Sequence, residues 1–195
     1  MKTLLIADKI HQALYNYFQE ERWEDIDLIL SAGDLKAGYL SFLVTLIKGA
    51  PLYYVRGNHD LDYKDDPPLG CLDINGKVIN YNGVTILGLE GSRWYGGKGV
   101  EYKEWEMTWQ IIKRLPKFFW HNWQQDIDII LAHSPPYDLN DGEGHTHQGF
   151  QVYRWLIEQL NPDYFIHGHQ HLSYGRNERM IEYKGTKIIN AYQYY

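Results

Sequence analysis

Tyr164-Phe165-Ile166-His167-Gly168-His169-Gln170-His171 joins an apolar run to three histidines within five residues. The run Tyr164-Phe165-Ile166 reads as a short buried strand, and Gly168 marks where it ends. Gly168 lets the backbone bend sharply and approach another group closely. His169 and His171 are two residues apart, so in an extended segment they point the same way. Neutral imidazole is the commonest metal ligand in proteins. A polar loop with ordinary surface histidines would read the same locally. What decides is whether other strands end alike.

Working outward, they do. Residues 2–7 read as a buried strand ending at Asp8. Residues 27–31 form a second, running into Gly33-Asp34. Residues 51–55 form a third, running into Gly57-Asn58-His59-Asp60. Residues 11–20 read as a helix with Leu14, Tyr17 and Phe18 on one face, and residues 39–48 are apolar at helical spacing. This β-α-β-α-β order implies a parallel layered sheet with right-handed crossovers. Residues 84–89 are a further strand, with 77–81 as its possible hairpin partner. Residues 101–124 are helical in period and broken by Pro116. Residues 128–132 make a strand ending at His133, 150–160 an amphipathic helix, and 187–191 a last strand. In open α/β sheets, sites form at the carboxyl ends of the strands.

The chain of 195 residues is long enough to bury a good core, and without repeats or linkers it is expected to be one domain, 1–195. A net charge of −6 without a basic block disfavours a non-specific nucleic-acid binder. The single cysteine, Cys71, excludes an intrachain disulfide and fits a reducing compartment. No apolar run approaches the ~18 residues of a spanning helix, and Asp8 interrupts the short apolar start, so a cytoplasmic location is expected.

Five strand exits thus deliver Asp8, Asp34, Asn58-His59-Asp60, His133 and His169 with His171. Any one is weak evidence, since an Asp after a strand commonly forms a turn or caps a helix. Gathered on one sheet edge without a cation, these carboxylates and imidazoles would cost desolvation and repulsion. Mixed Asp, Asn and His donors suit Mn²⁺, Fe or Zn²⁺ rather than Ca²⁺ or Mg²⁺. They exceed the roughly four ligands of a structural zinc and suit two ions sharing a carboxylate. Such a pair, about 3.5–4 Å apart, acidifies a bridging water and clamps an in-line displacement.

Gly33-Asp34, Gly57-Asn58-His59-Asp60, His133 and Gly168-His169-Gln170-His171, in this order, resemble the calcineurin-like metallophosphoesterases of compact bacterial and archaeal type. The resemblance implies a four-layered α/β sandwich, two mixed β-sheets packed together and flanked by helices. It implies two divalent transition ions, Mn²⁺ foremost, with Fe, Zn²⁺, Ni²⁺ or Co²⁺ also fitting. Asp8, Asp34 and His171 would hold the first ion. Asp34, Asn58, His133 and His169 would hold the second, with Asp34 bridging. His59 would stabilise the phosphoryl oxygen and protonate the leaving alkoxide, and Asp60 would orient it. The expected reaction is hydrolysis of a phosphomonoester or phosphodiester by a metal-bound hydroxide. One motif departs: the family opens with Asp-x-His, whereas this chain has Asp8-Lys9-Ile10-His11, with the histidine one residue late.

Two loops offer substrate walls. In Ser92-Arg93-Trp94-Tyr95-Gly96-Gly97, Arg93 would meet phosphate, and Trp94 or Tyr95 would stack on an aryl or nucleobase group. Trp105 and Trp109, which follow, equally fit packing of a helix onto the sheet. In residues 141–149, His147 is a candidate substrate contact, although a plain surface loop reads the same way. A nuclease and a weakly active metal-binding scaffold are the alternatives to a small-molecule phosphoesterase.

Overall fold

The computed structural model describes residues 1–97, 99–116, 126–142, 144, 147–172 and 178–195. Strands β1 (Thr3–Ala7), β2 (Leu28–Ser31), β3 (Leu52–Tyr54) and β4 (Cys71–Asp73) run parallel, and β13 (Gln193–Tyr194) joins the β1 edge antiparallel. The parallel centre of the second sheet is β6 (Val84–Leu89), β9 (Ile129–Ala132), β10 (Tyr164–His167) and β12 (Thr186–Asn190). Its antiparallel edges are β5 (Val78–Tyr81) and β11 (Met180–Tyr183). The order across it is β11-β12-β10-β9-β6-β5. A small pair, β7 (Ser92–Arg93) and β8 (Glu101–Tyr102), brackets the glycine-rich loop.

The side-chain period of two explains the layering. In β1, Leu5 and Ala7 face inward, where they meet Leu30, Ile86, Leu131, Ile166 and Ile189 between the sheets. Leu4 and Ile6 face the other way, onto Leu40 and Leu43 of α2 (Ala37–Leu46) and Trp23 of α1 (Glu20–Trp23). On the second sheet, Leu87, Ile130, Phe165 and Ile188 take the outer face. They are covered by Met107 and Ile111 of α3 (Glu104–Ile112) and by Tyr153, Leu156 and Leu160 of α4 (Gln151–Leu160). Both sheets are buried on both faces, which is why their strands read as unbroken apolar runs. The result is the expected four-layered α/β sandwich.

Two helical expectations change. Residues 11–20 form only a 3₁₀ turn at Gln12–Leu14, and the helix begins at Glu20. The segment is rich in aromatics of modest helix propensity. Tyr15 packs edge-on against Tyr39 and Phe42, with centroids at 5.8 and 5.1 Å, and Tyr17 is exposed. Helix α3 begins after β8, and residues 117–124 of the expected longer helix lie outside the described residues.

Candidate metal centre

The strand exits bend immediately, and three donors sit in left-handed backbone: Asp8 (φ 63°), Asp34 (φ 57°) and His169 (φ 65°). That conformation is strained for most side chains and is tolerated best by Gly, Asn and Asp. Here local hydrogen bonds hold it. Asp8 Oδ1 accepts from the His169 amide at 2.9 Å, and Asp34 Oδ1 accepts from the His59 amide at 2.8 Å. Gly57 is obligatory for this crowding: a Cβ there would lie 2.0 Å from Asp34 Oδ1.

Three acceptor atoms converge beneath the surface. His133 Nε2 lies 3.5 Å from Asp34 Oδ2 and 3.0 Å from Asn58 Oδ1. His133 Nδ1 lies 2.7 Å from the Ala32 carbonyl, which can only accept, so the ring proton belongs on Nδ1. Nε2 then aims its lone pair at two oxygens. The ligating atoms of Asp34, His133 and His169 all lie within 4.8 Å of one another. Asp8 Oδ2 is buried without a hydrogen-bond partner. Convergent lone pairs and an orphaned carboxylate oxygen fit a divalent cation, and the mixed O/N donor set fits a transition metal.

The electrostatics carry the same sign. Burial pushes the Asp8 carboxyl up to about 7, and the neighbouring Asp34 and Asp60 charges add to this against a pull from His133. Burial also raises Asp60 to about 6, against the backbone amides it accepts. His133 is raised: burial opposes its charged form, but the carboxylates of Asp34 and Asp8 outweigh that. His171 is lowered, first by burial and then by His147.

A cavity of about 420 Å³ opens above these atoms. Asp8, Asp34, Asn58, His59, Tyr95, His147, His169 and His171 line it. His133 lies fully buried below. The His147 and His169 rings are 5.6 Å apart, and His171 packs on Tyr192 at 4.8 Å.

Other expected residues are placed elsewhere. Asp60, expected to orient His59, instead spends Oδ2 on the amides of Gly57 and Asp34, at 2.8 and 2.7 Å. Among the described residues it makes no hydrogen bond to the His59 ring. Arg93 does not line the cavity and donates to Gln148 Oε1. Trp94 does not line it either, and Lys103 Nζ sits 5.4 Å from its ring. His11 Nδ1 accepts from the Ala13 amide at 3.2 Å, capping the 3₁₀ turn, and its ring packs on Tyr194. Ile10 packs against the outer core of the first sheet. The altered first motif therefore gives the cavity only Asp8. Glu143, His145 and Thr146 of the second loop lie outside the described residues.

Sequence reading missed Glu101, whose Oε2 accepts from the amides of Tyr95, Gly96 and Gly97. It also missed Gln170, which donates to the His147 carbonyl and ties the second loop to the histidine motif. Gln170 stands between two histidines in the sequence, and nothing local distinguishes its role.

A four-layered sandwich with carboxylate, amide and imidazole donors gathered at its strand exits defines a class of α/β proteins whose sheet edge can hold a metal ion. A sequence profile of the calcineurin-like phosphoesterase family matches residues 1–173, and the chain belongs to that family. It is 23% identical over 225 residues to the UPF0046 protein K07C11.7 of Caenorhabditis elegans, covering 99% of this chain and 70% of that protein. Its fold is similar to TT1561 of Thermus thermophilus, with a TM-score of 0.64 at 16% identity, covering 97% of this chain and 88% of that one. It is also similar to GAP50, the anchor in the inner membrane complex of Plasmodium, with a TM-score of 0.57 at 14% identity, covering 96% of this chain and 70% of that one. Family membership points to metal-dependent hydrolysis of a phosphoester. No helix among the described residues is long and apolar enough to cross a membrane.

Proposed function

We propose that this protein hydrolyses a small phosphoester at a centre of two divalent transition ions. Asp34, Asn58, His133 and His169 would hold one ion, and Asp8, His171 and the shared Asp34 the other. The observation that carries the reading is the convergence of Asp34 Oδ2, His133 Nε2 and Asn58 Oδ1 beside the partnerless Asp8 Oδ2. Ions bound there supply Lewis acidity, which lowers the pKa of a water and offsets charge on the phosphoryl oxygens.

The chain's own residues do the rest. His59 is the general acid of this reading: its side chain is 74% exposed, with Nε2 4.0 Å from Asp34 Oδ2, so it reaches over the cavity towards a leaving oxygen. Asp34 fixes the His59 backbone, and Asp60 fixes both turns that carry the donors. Tyr95 and His147 form the walls. The cavity volume suits a small substrate. The net charge of −6 argues against a nucleic-acid backbone as ligand. Mn²⁺ is the first metal to load, and the lone Cys71 favours the cytoplasm.

Metal analysis and chromogenic monoester and diester assays of Mn²⁺-loaded protein test this. Two ions per chain and turnover of either ester are expected. A folded protein that takes up no metal would end the reading. A second reading, a scaffold of low activity, draws on the exposed Trp105 and Trp109 of α3 and on the fold shared with an anchor protein. Metal uptake without turnover of any phosphoester would favour it.

A further inference from the structure

The Asn58 side chain shows what a cation requires of its surroundings. Asn58 is only 2% exposed. Its oxygen faces His133 Nε2, and its Nδ2 donates to the Tyr95 hydroxyl at 2.9 Å. When the amide oxygen is committed to a cation, the buried N–H₂ needs an acceptor of its own. Without a cation the amide has an alternative, since a flip would let its N–H₂ donate to the His133 lone pair. After such a flip the amide oxygen would face Tyr95 and accept from its hydroxyl, so the hydroxyl partners both orientations, but only the cation-facing one needs it as an acceptor.

Tyr95 is held in place by a built loop. Glu101 Oε2 accepts from the amides of Tyr95, Gly96 and Gly97 at 3.1, 3.1 and 2.8 Å. The Val100 amide donates to the Asn58 carbonyl at 3.3 Å. A Cβ on Gly99 would come within 2.3 Å of that same carbonyl, so the loop lies flush on Asn58.

We propose that Tyr95, clamped by Glu101, is a positioning residue for the metal centre, its hydroxyl taking the Asn58 amide N–H that a cation-facing oxygen leaves behind. This rests on the metal-centre reading above. A group that orients a metal ligand from behind typically governs affinity by about 10–100-fold. Tyr95→Phe removes one oxygen and nothing else. It should weaken Mn²⁺ binding on the order of tenfold, more than any change in the melting temperature of the metal-free protein accounts for. The metal-induced rise in melting temperature should shrink accordingly.

Calorimetric Mn²⁺ titration with thermal melts, on the full chain, tests this. Glu101→Ala should weaken Mn²⁺ binding in the same direction. In an Asn58→Ala background, Tyr95→Phe should cost nothing further, because the group it serves is gone. Unchanged affinity in Tyr95→Phe would overturn the proposal. So would an equal loss with and without Asn58, or a fall in metal-free melting temperature that accounts for the whole effect. A parent protein that binds no Mn²⁺ would overturn the metal centre itself, a result distinct from a parent that binds and a Tyr95 variant that binds equally well.

Discussion

His59 and Asp8 carry opposite demands. His59 stands out in solvent, its Nε2 4.0 Å from Asp34 Oδ2. His59→Gln should keep its metal yet lose on the order of 10²–10⁴ in turnover. The loss should be smallest for esters with good leaving groups such as nitrophenol. An equal loss across leaving groups would assign His59 to charge stabilisation rather than proton donation. Asp8 is the reverse: a buried carboxyl that holds its proton up to about pH 7 when no cation is present. A metal must displace that proton, so binding on the Asp8 side strengthens as pH rises towards 7 and levels off above it. Below about 7, each unit should weaken it roughly tenfold. Calorimetry at pH 6 in buffers of different ionisation enthalpy should show proton release, from Asp8 and from His133, whose pKa is also raised, and Asp8→Asn should lower that release by about one proton. Titration without proton release in the parent would refute it. These donors are legible in sequence because each lies within about five residues of the end of an apolar run. The Tyr95–Asn58 contact and the Glu101 clamp are not, because they join residues far apart without any repeating pattern.

Among the elements, the turns matter more than the strands they leave. Gly57 faces Asp34 so closely that any side chain must push the carboxylate away. Gly57→Ala should therefore cost at least tenfold in Mn²⁺ affinity while leaving the far-ultraviolet circular dichroism intact. Parent-like affinity would show that the turn yields without moving Asp34. The buried central strands could be read almost to the residue, since burial on both faces leaves continuous apolar sequence, whereas the short or half-exposed β4, β7, β8, β11 and β13 could not. Residues 11–20 could not, because apolar residues at helical spacing there serve edge-on aromatic packing instead. The same region decides the departing first motif. His11 acts as a cap because the chain turns into a 3₁₀ segment right after it, a backbone event that spacing alone does not reveal.

At the scale of the molecule, the two sheets meet through one apolar layer that also sets how the strand exits face each other. Leu131 is fully buried in it. Leu131→Ala should destabilise the protein by about 2–5 kcal/mol, read as a lower urea midpoint. A loss below about 1 kcal/mol would mean that the layer collapses around the gap. That the central strands are covered on both faces is legible from their unbroken apolar runs, whereas the split into two sheets follows only from the family resemblance, because nothing local says which parallel strands become neighbours.

The hydrogen bond between the His169 amide and Asp8 Oδ1 spans 161 positions of the chain, and β13 pairs back onto β1. Read along the direction of synthesis, this makes the centre one of the last things to exist. The amino-terminal sheet can form its parallel core early, but Asp8 then waits for a partner made at the other end of the sequence. His169 and His171 reach it only once β10 has docked between β9 and β12. A growing chain thus completes this donor set only once His171 has emerged, so an ion held by the full set would load after most of the fold has formed.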